Sequence, residues 1–558
     1  MKRRILWVLP VAIAAAVIAA TVLASGRDEP SLTSVPAQIK AAGYAPSTVL
    51  SPGLSQTIVA QGSTALENPQ GTIGWYGYIN DAPSPDNPAL PQMVPASSTT
   101  PTEAQKTEPD KNTYLVLRDE TGPDPSYDYG THFLFQGHEV GAAIAGSSRR
   151  QSLITRINLD ADSAHRVTLM AWQDSQGQPI QGIDGSTWDP WAKKLLFTTE
   201  NPSAPTYAMD ASFPATVTDI SGALGRGGYE GIQDDSDGNI WIVEDIGGSG
   251  KAGTSAKQPN SFVYRYVPKR KGDLANGKLQ VLQVLNAAGQ PVTFESQAAV
   301  NAPDQVALRT YGSSFTTQWV TIHDTATQGN TTPFNANTLA KAAHGTPFKR
   351  PENGQFRPGS RFTEFYFDET GDTTATSPEN GDPVTGAGGA GGWTSIFKLS
   401  QTSPSANTGK LSLFYEGNES VAGLDNVAFL SRDLVAFVED AGDGLHTQRK
   451  ALDSAYVFDV TKDYSQGAQP VRMLAEGRDP SATLDSANGG FGRNEGDNEL
   501  TGIHISNGDP SPDGLLGARA PDLLGGSHKW RFFYTQQHGD NFTWEVTAHR
   551  TGESADNY

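Results

Sequence analysis

The feature that most constrains this fold is a repeated placement of acids around short β-hairpins. Ile183-Asp184-Gly185-Ser186-Thr187-Trp188-Asp189-Pro190-Trp191 leads through Lys193-Lys194 into a strand that ends at Glu200. Glu230-Gly231-Ile232-Gln233 runs into the turn Asp235-Ser236-Asp237-Gly238-Asn239, and its return strand ends in Glu244-Asp245. Asp425-Asn426-Val427-Ala428-Phe429 turns at Ser431-Arg432-Asp433 and comes back to Glu439-Asp440. Each reads as a hairpin that is acidic at both open ends. Antiparallel pairing sets first and last residues side by side, so Glu230 is expected near Glu244, and Asp425 near Glu439. Hairpins repeated about an axis, as in a β-propeller, would turn their mouths to one end and pool these carboxylates. Like charges so concentrated coexist only with a cation or with shared protons. The alternative, that each acid flanks a turn and faces water, is the common fate of Asp and Glu; three copies of the arrangement favour a shared site.

The rest of the chain agrees with an all-β class. Leu54 to Ala60 reads as the first strand, and β-rich runs ending in turn residues recur at 114–117, 194–198, 240–243, 262–267, 411–415 and 434–438, with only short helix candidates such as Ala336 to Ala343. Gly 59 and Pro 36 supply the many tight connections such strands need. Segments 80–111 and 371–392, dense in Pro, Ser and Thr or in Gly, Thr and Asp, read as loop insertions on the scaffold. The formal charge of -20 argues against nucleic acid or an anionic membrane as partner. With Cys 0, neither disulfides nor thiolate metal sites are available. Met1-Lys2-Arg3-Arg4 followed by the apolar run Ile5 to Ala24 reads as a signal peptide cleaved after Ala24, or as an uncleaved anchor, which places the protein outside the cytoplasm, secreted or periplasmic. The Arg3-Arg4 pair leaves the export route open.

Absences narrow the chemistry. No His-Glu-x-x-His helix, Gly-x-Ser-x-Gly elbow or Walker loop is present, and the ten histidines are scattered, with only His138 beside an acid, Glu139, at a strand end. Zinc is therefore not expected, and the abundant carboxylates point to hard cations such as calcium, magnesium or manganese, or to ferric iron through oxygen ligands. In Phe348-Lys349-Arg350-Pro351-Glu352-Asn353-Gly354, proline is expected to hold Arg350 extended, so that Arg350 and Glu352 point to one side by strand alternation. A metal-binding Glu beside an Arg fork is a plausible oxyanion clamp; a surface Arg-Glu pair is the alternative.

From about Leu50 to Glu545 the chain resembles the PhoX family of secreted, metal-dependent alkaline phosphatases. His138-Glu139 is similar to the family's Asn-His-Glu element, and Thr187-Trp188-Asp189-Pro190-Trp191 through Thr198-Thr199-Glu200-Asn201 to its Trp-rich segment ending in Thr-Cys-Glu-Glu. Gly225-Arg226-Gly227-Gly228-Tyr229-Glu230 with Val243-Glu244-Asp245, the run Phe262 to Lys269 with Gly272-Asp273-Leu274, Arg350-Pro351-Glu352-Asn353, and the final Asp425-Asn426 to Glu439-Asp440 hairpin resemble further elements in the same order. The resemblance implies a six-bladed propeller with a calcium and iron cluster at one mouth, hydrolysing phosphate monoesters, and diesters as a second class, at alkaline pH. It implies metal ligands among Glu139, Glu200, Glu230, Glu244, Asp245, Glu352, Glu439 and Asp440, with Arg350 holding phosphate oxygens and Arg350 and Glu352 as the catalytic pair.

Two positions depart from the family: Thr199 stands where it carries an iron-holding cysteine, and Asn353 replaces an Asp. A threonine hydroxyl does not replace a soft thiolate on ferric iron. Calcium is thus the expected cofactor, and three outcomes stay open: hard ions alone, oxygen-bridged iron without the thiolate, or a catalytically dead site. The expected organisation is a leader at 1–24, a linker at 25–48, a propeller at 49–548 and a tail at 549–558, in a monomer acting on small phosphorylated substrates without stable membrane insertion after signal removal. A phytase-like or lactonase-like calcium propeller, or an inactive calcium-stabilised binding propeller, are the competing readings.

Overall fold

The computed structural model describes residues 22–23, 32–38, 48–71, 73–77, 107–143, 150–249, 257–293, 302–372, 392–477, 499–524, 529–537 and 541–549. Nearly all of the expected leader, most of both expected insertions and the 550–558 end of the tail lie outside these residues. Among the described residues no helix is long and apolar enough to cross a membrane.

The chain folds into successive sheets of 6, 4, 9, 5 and 4 strands, besides one two-stranded pair. Their innermost strands are Pro109–Val116, Ile183–Asp189, Tyr229–Asp234, Gly354–Phe356, Leu424–Phe429 and Glu499–Ser506. Each lies against the next, and the last lies against the first, so they close a ring around a common axis. From each, the sheet runs outward by antiparallel hairpins. The ring is tied shut by an early strand: Leu54–Ala60 pairs antiparallel with Phe542–Ala548, near the other end of the chain.

Hydrogen bonding does not deliver six separate sheets. Ser314–Asp324 pairs on one side with Gly277–Leu285 and on the other with Thr408–Glu416, which fuses two sectors into the nine-stranded sheet. Its edge strands, Tyr229–Asp234 and Gly354–Phe356, come back into contact, so the sheet bends nearly to closure. The core inside that bend is aromatic, with Trp241 edge-on to Trp319 and Phe356 at 5.1 and 5.0 Å between ring centroids. Other cores are shared between neighbouring sheets, as where Phe133, Phe135 and Ile154 meet Ile183, Phe197 and Tyr207. Face-to-face packing of this kind is what apolar alternation on both sides of short strands dictates.

Several sequence expectations are met closely: strands at 54–60, 194–199, 240–244 and 434–439, and a helix Ala336–Ala342 whose cap Asn335 accepts from the Thr338 amide. One is corrected. Pro109, Asp110 and Lys111, read as the end of a loop insertion, begin an innermost strand.

Candidate active site

The innermost strands share a defect at one end. In the pairs Pro109↔His138/Asn112↔Gln136, Ile183↔Thr199/Ser186↔Phe197, Tyr229↔Glu244/Ile232↔Ile242 and Leu424↔Glu439/Val427↔Phe437, two inner residues oppose one outer residue. Each is a β-bulge, and a bulge frees a residue from the ladder and re-aims its side chain. The residues released are Asp110-Lys111, Asp184-Gly185, Glu230-Gly231 and Asp425-Asn426, so each of these four bulges begins with a carboxylate, while a fifth, between Thr501↔Thr535 and His504↔Phe533, releases Gly502-Ile503. The strands come close there because of glycine. A Cβ on Gly185 would lie 2.1 Å from the Glu230 carbonyl oxygen, and one on Gly231 would lie 2.9 Å from the Glu352 carbonyl oxygen, which accepts the Gly231 amide at 2.8 Å.

The result is a continuous cluster of seven carboxylates. Ligand oxygens of Asp110, Asp184 and Glu230 lie within 4.8 Å of one another, as do those of Glu139, Asp184 and Glu200, and those of Glu230, Glu352 and Asp425. Asp184 and Glu230 join the three groups. Burial first, and then the neighbouring negative charges, push the carboxyls of Asp184, Glu230, Glu139 and Glu352 well above their usual range. The same causes raise Asp425 to about 7. Glu200 faces solvent at the rim, yet is crowded enough by protein, and then by Asp245, to be pushed up to about 8.

Two cations face this cluster. Lys111 is buried, its ammonium donating to Asn426 Oδ1 at 3.0 Å and to the Ile503 carbonyl at 3.1 Å. Arg350 donates through Nε and Nη2 to both oxygens of Asp245, at 2.9 and 2.8 Å, and its Nη2 lies 3.4 Å from Glu352 Oε1. Burial opposes the guanidinium charge, but Asp245, Glu352 and Glu200 outweigh it and hold the group well above its ordinary range. Its side chain is 26% exposed, and Nη1 carries no hydrogen bond among the described residues, so one edge of the fork is open to an incoming anion.

The expected geometry of the 350–353 segment is corrected. Arg350 is not extended but has φ +57°, in the left-handed region, and 350–353 form no strand. The conformation is held from both sides: Glu369 accepts the Lys349 amide at 2.7 Å while gripped by Arg309, the Lys349 ammonium meets Asp372 at 3.1 Å, and the Arg350 carbonyl accepts the Thr370 amide at 2.9 Å. Such backbone strain persists only where surrounding contacts over-determine it.

Among the residues singled out from sequence, Glu139, Glu200, Glu230, Asp245, Glu352 and Arg350 come together at this mouth. Asp440 belongs with them electrostatically, its carboxyl raised by burial and then by Glu499 and Asp425. Glu244 and Glu439 do not join. Glu244 Oε2 accepts from the Phe262 amide, Tyr264 hydroxyl and Asn337 amide group at 3.0 to 3.1 Å, and Glu439 is gripped by Arg449 and the Ala422 amide. The reason is strand parity: Glu244 and Glu439 sit one residue before Asp245 and Asp440, so their side chains leave the opposite face. Asp110 and Lys111 were missed as site residues, and Asp184 and Asp425, read as acids at hairpin mouths, were left out of the expected ligand set, although an acid followed by Gly or Asn at a strand start was a usable signal for both.

The donor set fits hard cations. Two oxygens each about 2.4 Å from a calcium ion lie no more than about 4.8 Å apart, and buried Asp184 Oδ1 and Glu230 Oε2 have no hydrogen-bond partner. It does not fit thiolate-held iron. The chain has no cysteine, and the Thr199 hydroxyl donates to the Pro205 carbonyl at 3.2 Å. His138 is no ligand either: both ring nitrogens are within 2.8 to 2.9 Å of Thr107 and Thr155 hydroxyls, and burial pushes the ring down to about 3.

No family model matches the sequence, and no curated protein does. Among solved structures the chain is similar to Pseudomonas fluorescens PhoX in complex with vanadate, a transition state analogue, at 12% identity over 93% of this chain and 99% of that one, with a TM-score of 0.54. The fold is that of a β-propeller. Weaker likenesses link it to the Pseudomonas aeruginosa periplasmic gluconolactonase PpgL, at 11% identity over 75% of this chain and 97% of that one, TM-score 0.28, and to a glucose dehydrogenase, at 11% over 67% and 96%, TM-score 0.27. At 12% identity the likeness to PhoX establishes the propeller fold alone.

Proposed function

We propose that this chain is an exported, metal-dependent hydrolase of phosphate monoesters, with diesters as a second substrate class, built on a six-bladed propeller of residues 49–548. In this reading the nine-stranded sheet counts as two blades that share an outer strand. The observation that carries the proposal is the linked cluster of seven carboxylates, one of which, Glu352, lies 3.4 Å from the partly open Arg350 fork, at the mouth of the ring of innermost strands. PhoX, similar in fold, takes vanadate, a transition state analogue, and an Arg fork beside oxygen-bound cations is suited to an oxyanion of that kind.

Asp110, Glu139, Asp184, Glu200, Glu230, Glu352 and Asp425 would hold the cations, calcium above all. When bound, such ions supply Lewis-acid polarisation of the phosphoryl group. The chain supplies the rest. Asp245 fixes the plane of Arg350, so that two of its N–H groups can meet two phosphoryl oxygens without a search of rotamers. Glu352, 3.4 Å from that fork, sets its second edge. Burial pushes the Lys111 ammonium down while Asp425, Asp110 and Glu230 pull it back up; where it holds its proton it would offset part of the negative charge that an incoming phosphate dianion meets.

The test is release of phosphate from an aryl phosphate by the purified protein at about pH 9, lost on chelation, restored by calcium and lost in Arg350→Ala. Absence of turnover with calcium, magnesium, manganese and iron in turn, or full turnover in Arg350→Ala, refutes the reading.

A further inference from the structure

The innermost strand that offers Glu230 at one end offers Asp234 at the other, about 13 Å further along the axis at roughly 3.3 Å per residue. Asp234 is 1% exposed, and neither of its carboxylate oxygens has a hydrogen-bond partner. Its acidic neighbours are provided for. Asp189 accepts the Trp191 and Ala192 amides, and Asp235 accepts from Asp237, Asn239 and Trp241. Asp234 instead lines a cavity of about 30 Å3 with Thr113, Ser186, Thr187, Gln233 and Ser506, roofed by the 509–516 segment. No Lys or Arg is among the described residues lining it, and His504, also in the wall, accepts the Tyr114 amide on Nε2 and is held neutral by burial.

Protonation alone does not satisfy this group, because a carboxylic O–H buried here would still need an acceptor within reach. An ionised carboxylate would need a counter-charge, with Asp189 and Asp235 adding to the demand. The volume admits a single water or ion and no organic ligand, and apart from His504 the polar lining presents oxygens and amide groups, which suits a hard ion.

We propose that Asp234 anchors a second cation site, at the end of the propeller axis opposite the carboxylate cluster, which takes one calcium-sized ion and clamps the four innermost strands 109–116, 183–189, 229–234 and 499–506 together. It is separate from the proposed phosphatase site and holds whether or not that site turns over.

The experiment is calcium stoichiometry by elemental analysis of the dialysed full chain, paired with thermal unfolding across a calcium titration. Asp234→Asn should bind one equivalent fewer than wild type and lose one step of the calcium-dependent stabilisation, with aryl phosphate hydrolysis per folded molecule unchanged. Should Asp234→Asn fail to fold, the mouth-neutralised variant Asp184→Asn/Glu200→Gln/Glu230→Gln/Asp425→Asn, which removes at least one acid from each of the three carboxylate groups, should still bind one equivalent and still gain thermal stability from calcium. Unchanged stoichiometry in Asp234→Asn, or no calcium binding by the mouth-neutralised variant, overturns the proposal and leaves a buried water beside a protonated acid. Loss of hydrolysis in the wild type with this pattern intact would refute the phosphatase reading alone.

Discussion

Asp425→Asn in metal-free protein tests whether the carboxylate cluster is a strain that the fold carries for the sake of cations. The carboxyl ordinarily titrates at 3.8 and is raised to about 7 by burial and then by Asp110. Because the folded value lies above the unfolded one, the native state binds the proton more tightly. Its favourable contribution is complete below about 3.8 and is lost as pH rises to about 7 and beyond. The gap corresponds to roughly 4 kcal/mol at about 1.4 kcal/mol per tenfold change in proton affinity. Asparagine removes the ionisation while keeping the shape and an acceptor for the Asn426 amide group, which donates at 2.8 Å. With chelator present, the variant should therefore match wild type near pH 4 and exceed it by up to about 4 kcal/mol near pH 8. With calcium present the order should reverse, since the variant has lost a ligand. Urea unfolding curves at pH 4, 6 and 8, with and without chelator, read both signs. A variant less stable than wild type at pH 8 in chelator, or a difference that ignores pH, would show that Asp425 is not held against its own ionisation.

Calcium affinity should climb from pH 6 through 8, because ions held by Asp425 and Glu200 displace the protons these keep up to about 7 and about 8, and the carboxyls of Asp184, Glu230, Glu139 and Glu352 are raised as well; isothermal titration in buffers of different ionisation enthalpy would count the protons, and a flat profile would be contrary. Arg350→Lys should behave nearly as badly as Arg350→Ala, both losing about 30- to 1000-fold in kcat/KM, since an ammonium cannot reproduce the two-point contact with Asp245 or with phosphate. Gly231→Ala should cost about 1–3 kcal/mol, because the added carbon meets Asn353 Cα and the Glu352 carbonyl at 2.9 Å and forces the strands apart. It should also weaken calcium binding by separating Glu230 from Glu352, which a titration against wild type would measure.

Much of the scaffold was legible because β-rich runs, turn residues and apolar alternation act locally: the strand at 54–60 and the helix from Ala336 were readable within a residue or two. The site was legible as a neighbourhood and not as a ligand set. A hairpin ending in two acids does not announce which of them faces the mouth. Asp245 and Asp440 do, while Glu244 and Glu439 are absorbed by Asn337 and Arg449 on the other face. The four bulges were hidden for a related reason, since two-against-one pairing depends on the partner strand's register as much as on the inner strand. Asp110 was lost to composition, its strand beginning straight after a stretch rich in Pro, Ser and Thr. The left-handed Arg350 escaped because the contacts that impose it come from Glu369, Asp372 and Thr370, which follow it by some twenty residues.

The placement of the acids also says how cation binding and folding are joined. The clustered carboxylates come from positions as far apart as Asp110 and Asp425, and Lys111 reaches Asn426 across 315 positions of chain. The closed ring, tied through Leu54–Ala60 and Phe542–Ala548, already holds these oxygens together, whereas the unfolded chain would have to meet a loop-closure entropy for each one it gathered. Cations that need several of these oxygens at once therefore bind the closed ring and not the open chain, and their binding free energy is added to the stability of the closed form. Chelation should then loosen the ring as a whole. Hydrogen exchange should accelerate together in Leu54–Ala60, Leu424–Phe429 and Glu499–Ser506, although Leu54–Ala60 contributes none of the clustered carboxylates. Acceleration confined to the acidic bulges would mean that the ring closes without help from the ions.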